Sequence, residues 1–99
     1  MSSVNTSENG NDVTLSIEGE FTFNIHTAFR NAYKTFDSSR HFIIDLSNTS
    51  YMDSSGLGMI IQLRDFAGGD SAQVNITGAN EIVSQVLKVA KFDQLFTLN

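Results

Sequence analysis

From residue 13 onward, apolar and polar residues alternate: Val13, Leu15 and Ile17 against Thr14, Ser16 and Glu18. A period of two predicts a half-buried strand. Gly19-Glu20 reads as a break, and Phe21-Thr22-Phe23 as a short second strand. The period then changes. Ile25, Ala28, Phe29, Ala32, Tyr33 and Phe36 recur at spacings of three and four, one apolar stripe of a helix with Asn24 as its cap. After a loop at Asp37-Ser38-Ser39-Arg40 comes Phe42-Ile43-Ile44-Asp45-Leu46, a nearly continuous apolar run expected of a central strand covered on both faces. Asp45 is its exception, readable as a solvated strand end or as a hydrogen-bond partner of the following turn. A second helix carries Leu57, Ile60, Ile61 and Ala67 and ends at Gly68-Gly69-Asp70. Val74-Asn75-Ile76 predicts a strand stopped by Gly78. Asn80 caps a third helix with the stripe Ile82, Val83, Val86, Leu87 and Ala90, and Phe96-Thr97-Leu98 a last short strand. Residues 1–11 are polar and Ser/Asn-rich and read as a mobile leader ahead of a single domain over residues 12–99. The order ββαβαβαβ predicts an α/β fold, a mixed, mainly parallel sheet flanked by three or more helices.

Composition narrows the function classes. The chain has 99 residues, formal net charge −5, and only six Lys and Arg with no basic cluster, so a nucleic-acid partner is not expected. Cysteine is absent, which removes disulfides and thiolate metal sites and fits a reducing cytoplasm. The N-terminal residues lack the basic and apolar regions of a signal peptide, and the apolar runs fall far short of the ~20 residues that span a bilayer. A cytoplasmic monomer is the expectation from this charged, single-domain character.

The chemistry concentrates in Tyr51-Met52-Asp53-Ser54-Ser55-Gly56-Leu57-Gly58, between an apolar strand and an amphipathic helix. Ser54 and Ser55 fall in or beside a first helical turn, where backbone N–H groups lack intrahelical partners and negative charge is favoured. A hydroxyl there can accept a phosphate, attack a substrate, or cap the helix, as Asp53 also can. Gly56 and Gly58 keep the turn low enough for close backbone approach. Nucleophilic catalysis would need His26 or His41 within hydrogen-bond reach of Ser54, and Gly-x-Ser-x-Gly is absent. The two histidines and scattered acids have no metal-ligand spacing, and Gly68-Gly69 lacks the rest of a phosphate-binding loop. No cofactor is indicated.

The turn resembles that of STAS domains, the fold of bacterial anti-sigma factor antagonists. Three features carry the resemblance: Asp45-Leu46-Ser47 leading into Tyr51–Gly58, Gly19-Glu20-Phe21 followed by a helix, and a final helix running into Lys91-Phe92-Asp93-Gln94-Leu95-Phe96. The resemblance implies a protein without catalytic activity that works by partner switching. Ser54 would be phosphorylated by an anti-sigma factor with ATP-dependent serine kinase activity, with Ser55 as second choice. The unphosphorylated form would bind that anti-sigma factor, and a PP2C-type phosphatase would reset it. Thr22, Phe23, Asp53, Ser54, Ser55, Gly56 and Leu57 would form the docking surface. Two residues depart from the pattern: Thr22, where Asp is common, and Thr49, where an apolar residue is common and a small packing loss is expected. An alternative is a constitutive STAS subunit of a transport ATPase, slightly supported by Thr22; a serine hydrolase is a third.

Overall fold

The computed structural model describes residues 2–98. Strands β1 (Ser3–Asn9) and β2 (Asp12–Phe21) lead into helix α1 (His26–Lys34). Then come β3 (His41–Asp45), β4 (Thr49–Met52), α2 (Ser54–Phe66), β5 (Val74–Thr77), α3 (Glu81–Val89) and β6 (Thr97–Leu98). The sheet order is β1-β2-β3-β5-β6, with β4 on β2. Only β1–β2 is antiparallel; β2–β3, β2–β4, β3–β5 and β5–β6 are parallel. The α/β class and mainly parallel sheet are as the alternating periods predict; β1 and β4 are strands in addition, and Phe21-Thr22-Phe23 is not a separate strand, Phe21 ending β2 and Phe23 opening a 3-10 turn.

Most of the polar leader forms a strand. Ser3–Asn9 pairs along its whole length with Asp12–Glu18. Gly10-Asn11 closes the hairpin with Gly10 at φ 62°, where glycine carries no Cβ penalty. Arg40 clamps this turn, donating to the Gly10 and Asn11 carbonyls and to Glu8 at 3.0–3.1 Å. The Gly-Asn turn between strand-length segments is a hairpin signal that the polarity of residues 1–11 obscures.

Gly19-Glu20 does not end the strand. β2 runs on to Phe21, and at Gly19/Glu20 its register shifts as it pairs with β4 rather than β3. Between the two partners the Ile17 carbonyl is covered by neither. Thr49, itself buried, donates its hydroxyl to that carbonyl at 2.7 Å. The expected packing loss at Thr49 is therefore a required hydrogen bond. Asp45 ends β3 and accepts the Ser47 N–H at 3.0 Å, so its carboxylate holds the crossover turn. Gly78 (φ 77°) lies so close to Ser47 that a Cβ would meet Ser47 atoms at 2.9 Å.

Burial along the strands alternates. Val13, Leu15, Ile17, Phe42, Ile44, Val74 and Ile76 are buried in one cluster with residues of all three helices. Thr14, Ser16, Ile43, Asp45, Asn75 and Thr77 stay partly exposed on the other face. Helices thus cover one face only, and β3 is not buried on both. A chain of rings ties the layers together: Phe21–Phe29, Phe29–Tyr33, Tyr33–Phe66 and Phe42–Phe66, with centroids 5.2–6.2 Å apart. Asn24 is not the α1 cap. Thr22 and Ile25 precede a 3-10 turn (Phe23–Ile25) and the helix, neither with a side-chain cap, and α1 stops before Phe36. Asn80 does cap α3, accepting the Val83 N–H at 2.8 Å, and donates to the Thr49 carbonyl at 3.1 Å.

Thr49→Val keeps the shape but orphans the Ile17 carbonyl. It is expected to destabilise by about 1–3 kcal/mol in urea denaturation; an unchanged or raised stability would show that water or the backbone replaces the hydroxyl.

Candidate functional site

The strand-to-helix turn stands at the C-terminal end of β4. Asp53 is the N-cap of α2: its Oδ1 accepts the Ser55 N–H at 2.9 Å and the Gly56 N–H at 3.3 Å. Capping therefore falls to the carboxylate and not to either serine. Ser54 is the first helical residue, exposed, and its hydroxyl has no hydrogen-bond partner among the described residues. Ser55 is partly exposed.

The two glycines of the turn differ. Gly56 is buried, and a Cβ there would sit 2.8 Å from the Phe21 carbonyl oxygen and 2.9 Å from Met52 Cγ. It seats the first turn of α2 against the end of β2, so its place is inside the fold rather than on a docking surface. Gly58 is exposed with nothing within 4 Å of a Cβ. One turn along from Ser54, it leaves the helix surface bare on the side that carries the hydroxyl.

Beside the turn lies a groove of about 460 Å³ between β4, the start of α2, and α3. Tyr51, Met52, Asp53, Ser54 and Leu57 line one wall; Gln85, Val86, Val89 and Ala90 line the other. Its apolar side chains face solvent to an unusual degree: Val89 is 80% exposed and Tyr51 47%, with Ile82 at 60% farther along α3. Asp53 is the lone charged residue in the lining.

The α3 wall is absent from the sequence-based site. The apolar stripe of the sequence places Ile82 in the core, but α3 bears two apolar lines. Val83 and Leu87 are buried, while Ile82, Val86 and Val89 form a second line at the same spacing, mostly outside the core. An apolar arc wider than a single core contact covers is the signal for this wall.

Of the remaining predicted residues, Leu57 is partly buried in the groove wall. Phe23 is 66% exposed and stacks on His26 with centroids 5.0 Å apart, an aromatic surface flanking α1. Thr22 accepts the Ile25 N–H on its carbonyl, while its Oγ1 is buried without a partner. Neither histidine hydrogen-bonds Ser54. His41 bonds Asp12 at 2.9 Å at the opposite end of the strands, and His26 is in the Phe23 stack. Among the described residues no histidine or carboxylate hydrogen-bonds the Ser54 hydroxyl, and the Asp53 carboxylate is turned to the helix amides, so no triad is assembled here. Among the described residues no group of His, Asp and Glu is placed to hold a metal ion, and no helix is long and apolar enough to cross a membrane.

Comparison with known proteins adds to this geometry. The family model described as "Mlab, STAS domain" matches residues 4–98. A STAS-domain containing protein of Pseudomonas aeruginosa is 39% identical over 94 residues, covering 94% of this chain and 93% of its own. The anti-sigma factor antagonist SpoIIAA of Bacillus, in its unphosphorylated form, superimposes with a TM-score of 0.82 at 15% identity, over 98% of this chain and 88% of that one. The STAS domain of a SulP transporter from Vibrio cholerae superimposes at 0.71 with 21% identity, over 94% and 77%. At these identities the structural likenesses concern the fold alone.

Two contrasts test the turn. Asp53→Ala loses the cap and is expected to cost about 0.5–2 kcal/mol, whereas Ser54→Ala, which breaks no bond, should stay within about 0.5 kcal/mol of the parent. Gly56→Ala is expected to destabilise by about 1–3 kcal/mol through overpacking. Gly58→Ala should stabilise by up to about 1 kcal/mol through helix propensity. Urea denaturation of the four variants checks both, and equal effects at the two glycines would refute the placement of α2 on β2.

Proposed function

The chain belongs to the STAS domain family, and from that footing we propose that it is an anti-sigma factor antagonist working through phosphorylation-controlled partner exchange at Ser54. One observation carries the reading: an exposed, unbonded hydroxyl on the first residue of α2, at the rim of an apolar groove, with the capping role held by its neighbour Asp53.

In the unphosphorylated state an anti-sigma factor docks over the turn and groove, covering Tyr51, Leu57, Val86 and Val89. As an ATP-dependent serine kinase it then transfers the γ-phosphoryl group. The Ser54 oxygen bonds to phosphorus, the bond to the bridging oxygen breaks, ADP leaves, and the hydroxyl proton is released. The product adds about −1.5 to −2 charges at pH 7. The Ser55 and Gly56 amides already bond Asp53, and no cation lines the groove. The phosphate is thus left beside a carboxylate, dependent on water. Burying such a dianion unpaired costs several kcal/mol, while ~2.7 kcal/mol suffices for a hundredfold loss of affinity. Release follows from charge and desolvation without refolding of the turn. A PP2C-type phosphatase then hydrolyses the ester with water and restores the hydroxyl. Ser55 is the second choice of acceptor, because its N–H is engaged by Asp53 and its side chain is less exposed. The reading needs no catalytic group or cofactor in this chain and sets it in the cytoplasm with its partners. SpoIIAA, whose structure exists in phosphorylated and unphosphorylated forms, supports it at the level of fold.

A second reading, a constitutive STAS subunit of a transport ATPase, is favoured by Thr22, which offers no carboxylate beside the turn; the SulP domain shows only that a transporter can carry this fold. It uses the same groove without the phosphate.

Phosphopeptide mapping of protein from its own cells, with phosphatase inhibitors present from lysis, is expected to find phosphate on Ser54 at an occupancy that changes between growth and stress. Ser54→Glu should then lose at least about tenfold in affinity for the co-purifying anti-sigma factor, with Ser54→Ala retaining it. Unmodified Ser54 throughout, or equal binding by the two variants, would transfer the assignment to the constitutive subunit.

A further inference from the structure

β1 is an edge strand, and among the described residues no strand pairs with its outer edge. Parity along β2 identifies the free groups. The Asn11 and Ile17 carbonyls and the Gly19 N–H point toward β3 and β4. Odd-numbered residues of β2 therefore face that side and even-numbered ones face β1. The pairs Ser3–Glu18, Asn5–Ser16, Ser7–Thr14 and Asn9–Asp12 are then the hydrogen-bonded ones. By the same alternation the backbone N–H and C=O groups of Val4, Thr6 and Glu8 point outward, away from the sheet.

Natural edges are protected by lysines, proline, bulges or shortness. β1 has seven residues, no lysine or proline, and unbroken register. Its one charge, Glu8, is paired with Arg40 at 3.0 Å. The opposite edge, β6, is two residues long and is protected by that shortness alone.

We propose that β1 is a self-association surface, with a second copy of this chain adding its β1 antiparallel across a twofold axis at Thr6. In that register Thr6 of one copy faces Thr6 of the other, and Val4 faces Glu8, so each outward backbone group meets its complement. The arrangement is also free of charge conflict. The acidic residue of each strand lies opposite a valine, and Asn5 lies opposite Ser7 on the polar face. A head-to-tail contact of β1 with β6 would pair only two residues, so the twofold arrangement is the one that satisfies the edge. It joins two sheets into one and leaves Ser54 and its groove, at the ends of β4 and α2, outside the contact. It replaces the monomer expected from the charged, single-domain character of the chain.

The test uses proline as a backbone probe. Thr6→Pro removes an N–H that the β1–β2 ladder does not use, so the chain keeps its fold while both central intermolecular hydrogen bonds are lost. Thr6→Lys, on an exposed side chain, sets two like charges opposite each other at the axis. Sedimentation equilibrium from micromolar to millimolar chain is expected to show a monomer–dimer equilibrium. Each variant should weaken it roughly tenfold to a hundredfold, with unchanged circular dichroism for Thr6→Lys. Amide exchange at Val4, Thr6 and Glu8 should slow as concentration rises, while Asn5 and Ser7 stay protected at every concentration. A monomer over the whole range, or a dimer that neither variant weakens, would overturn the proposal.

Discussion

The hydrogen bond from Thr49 to the Ile17 carbonyl holds the point where this sheet changes hands. β2 pairs with β3 over its first half and with β4 over its second, and the chain must leave the sheet between them. A carbonyl left bare at that crossing would be buried without a partner, a cost of about 1–3 kcal/mol. The site depends on the crossing. Thr49 begins β4, β4 ends at the Asp53 cap, and Asn80 reaches from the start of α3 to the Thr49 carbonyl. Both walls of the groove are thus hung from one residue.

At the turn itself, stability and chemistry are divided between neighbours. Asp53 satisfies the helix amides and Gly56 seats the helix on β2, while Ser54 contributes nothing to either. A residue with no structural duty can change charge without unfolding its surroundings. The same division leaves the Ser55 and Gly56 amides engaged by Asp53, so neither is free for a group carried on the Ser54 hydroxyl.

The sequence read best where one period ran over a whole element. The stripe of α1 and the cap of α3 are legible because each rests on local spacing, whereas the choice of Asp53 over Ser54 and Ser55 as the cap of α2 is made only by the folded turn. What escaped depended on contacts distant in sequence. β4 is only four residues, Thr49–Met52, and exists because β2 offers a second half to pair with. β1 lacks the apolar alternation of a strand because its outer side is solvent, and its order comes from the hairpin turn and Arg40. The run Phe42–Leu46 suggested cover on both faces, but Ile43 packs no helix, and one apolar residue on an otherwise polar face misled the count. The Asp53–Gly58 turn is visible as a motif, whereas the α3 wall is hidden because the stripe takes Ile82 and Val86 for core and leaves out Val89.

The two-residue turn at Gly10-Asn11 also bears on how the molecule assembles. It closes the pairing in this sheet whose two strands follow each other with no helix between them, and hairpins of that kind form in about 1–10 μs. β2–β3 must wait for α1 to cross, β3–β5 for β4 and α2, and β5–β6 for α3. Each crossing closes a long loop before its contacts form, which slows folding more than it weakens the final state. The N-terminal hairpin is therefore the natural template on which the later, parallel strands are laid in order, and the last of them is also the shortest.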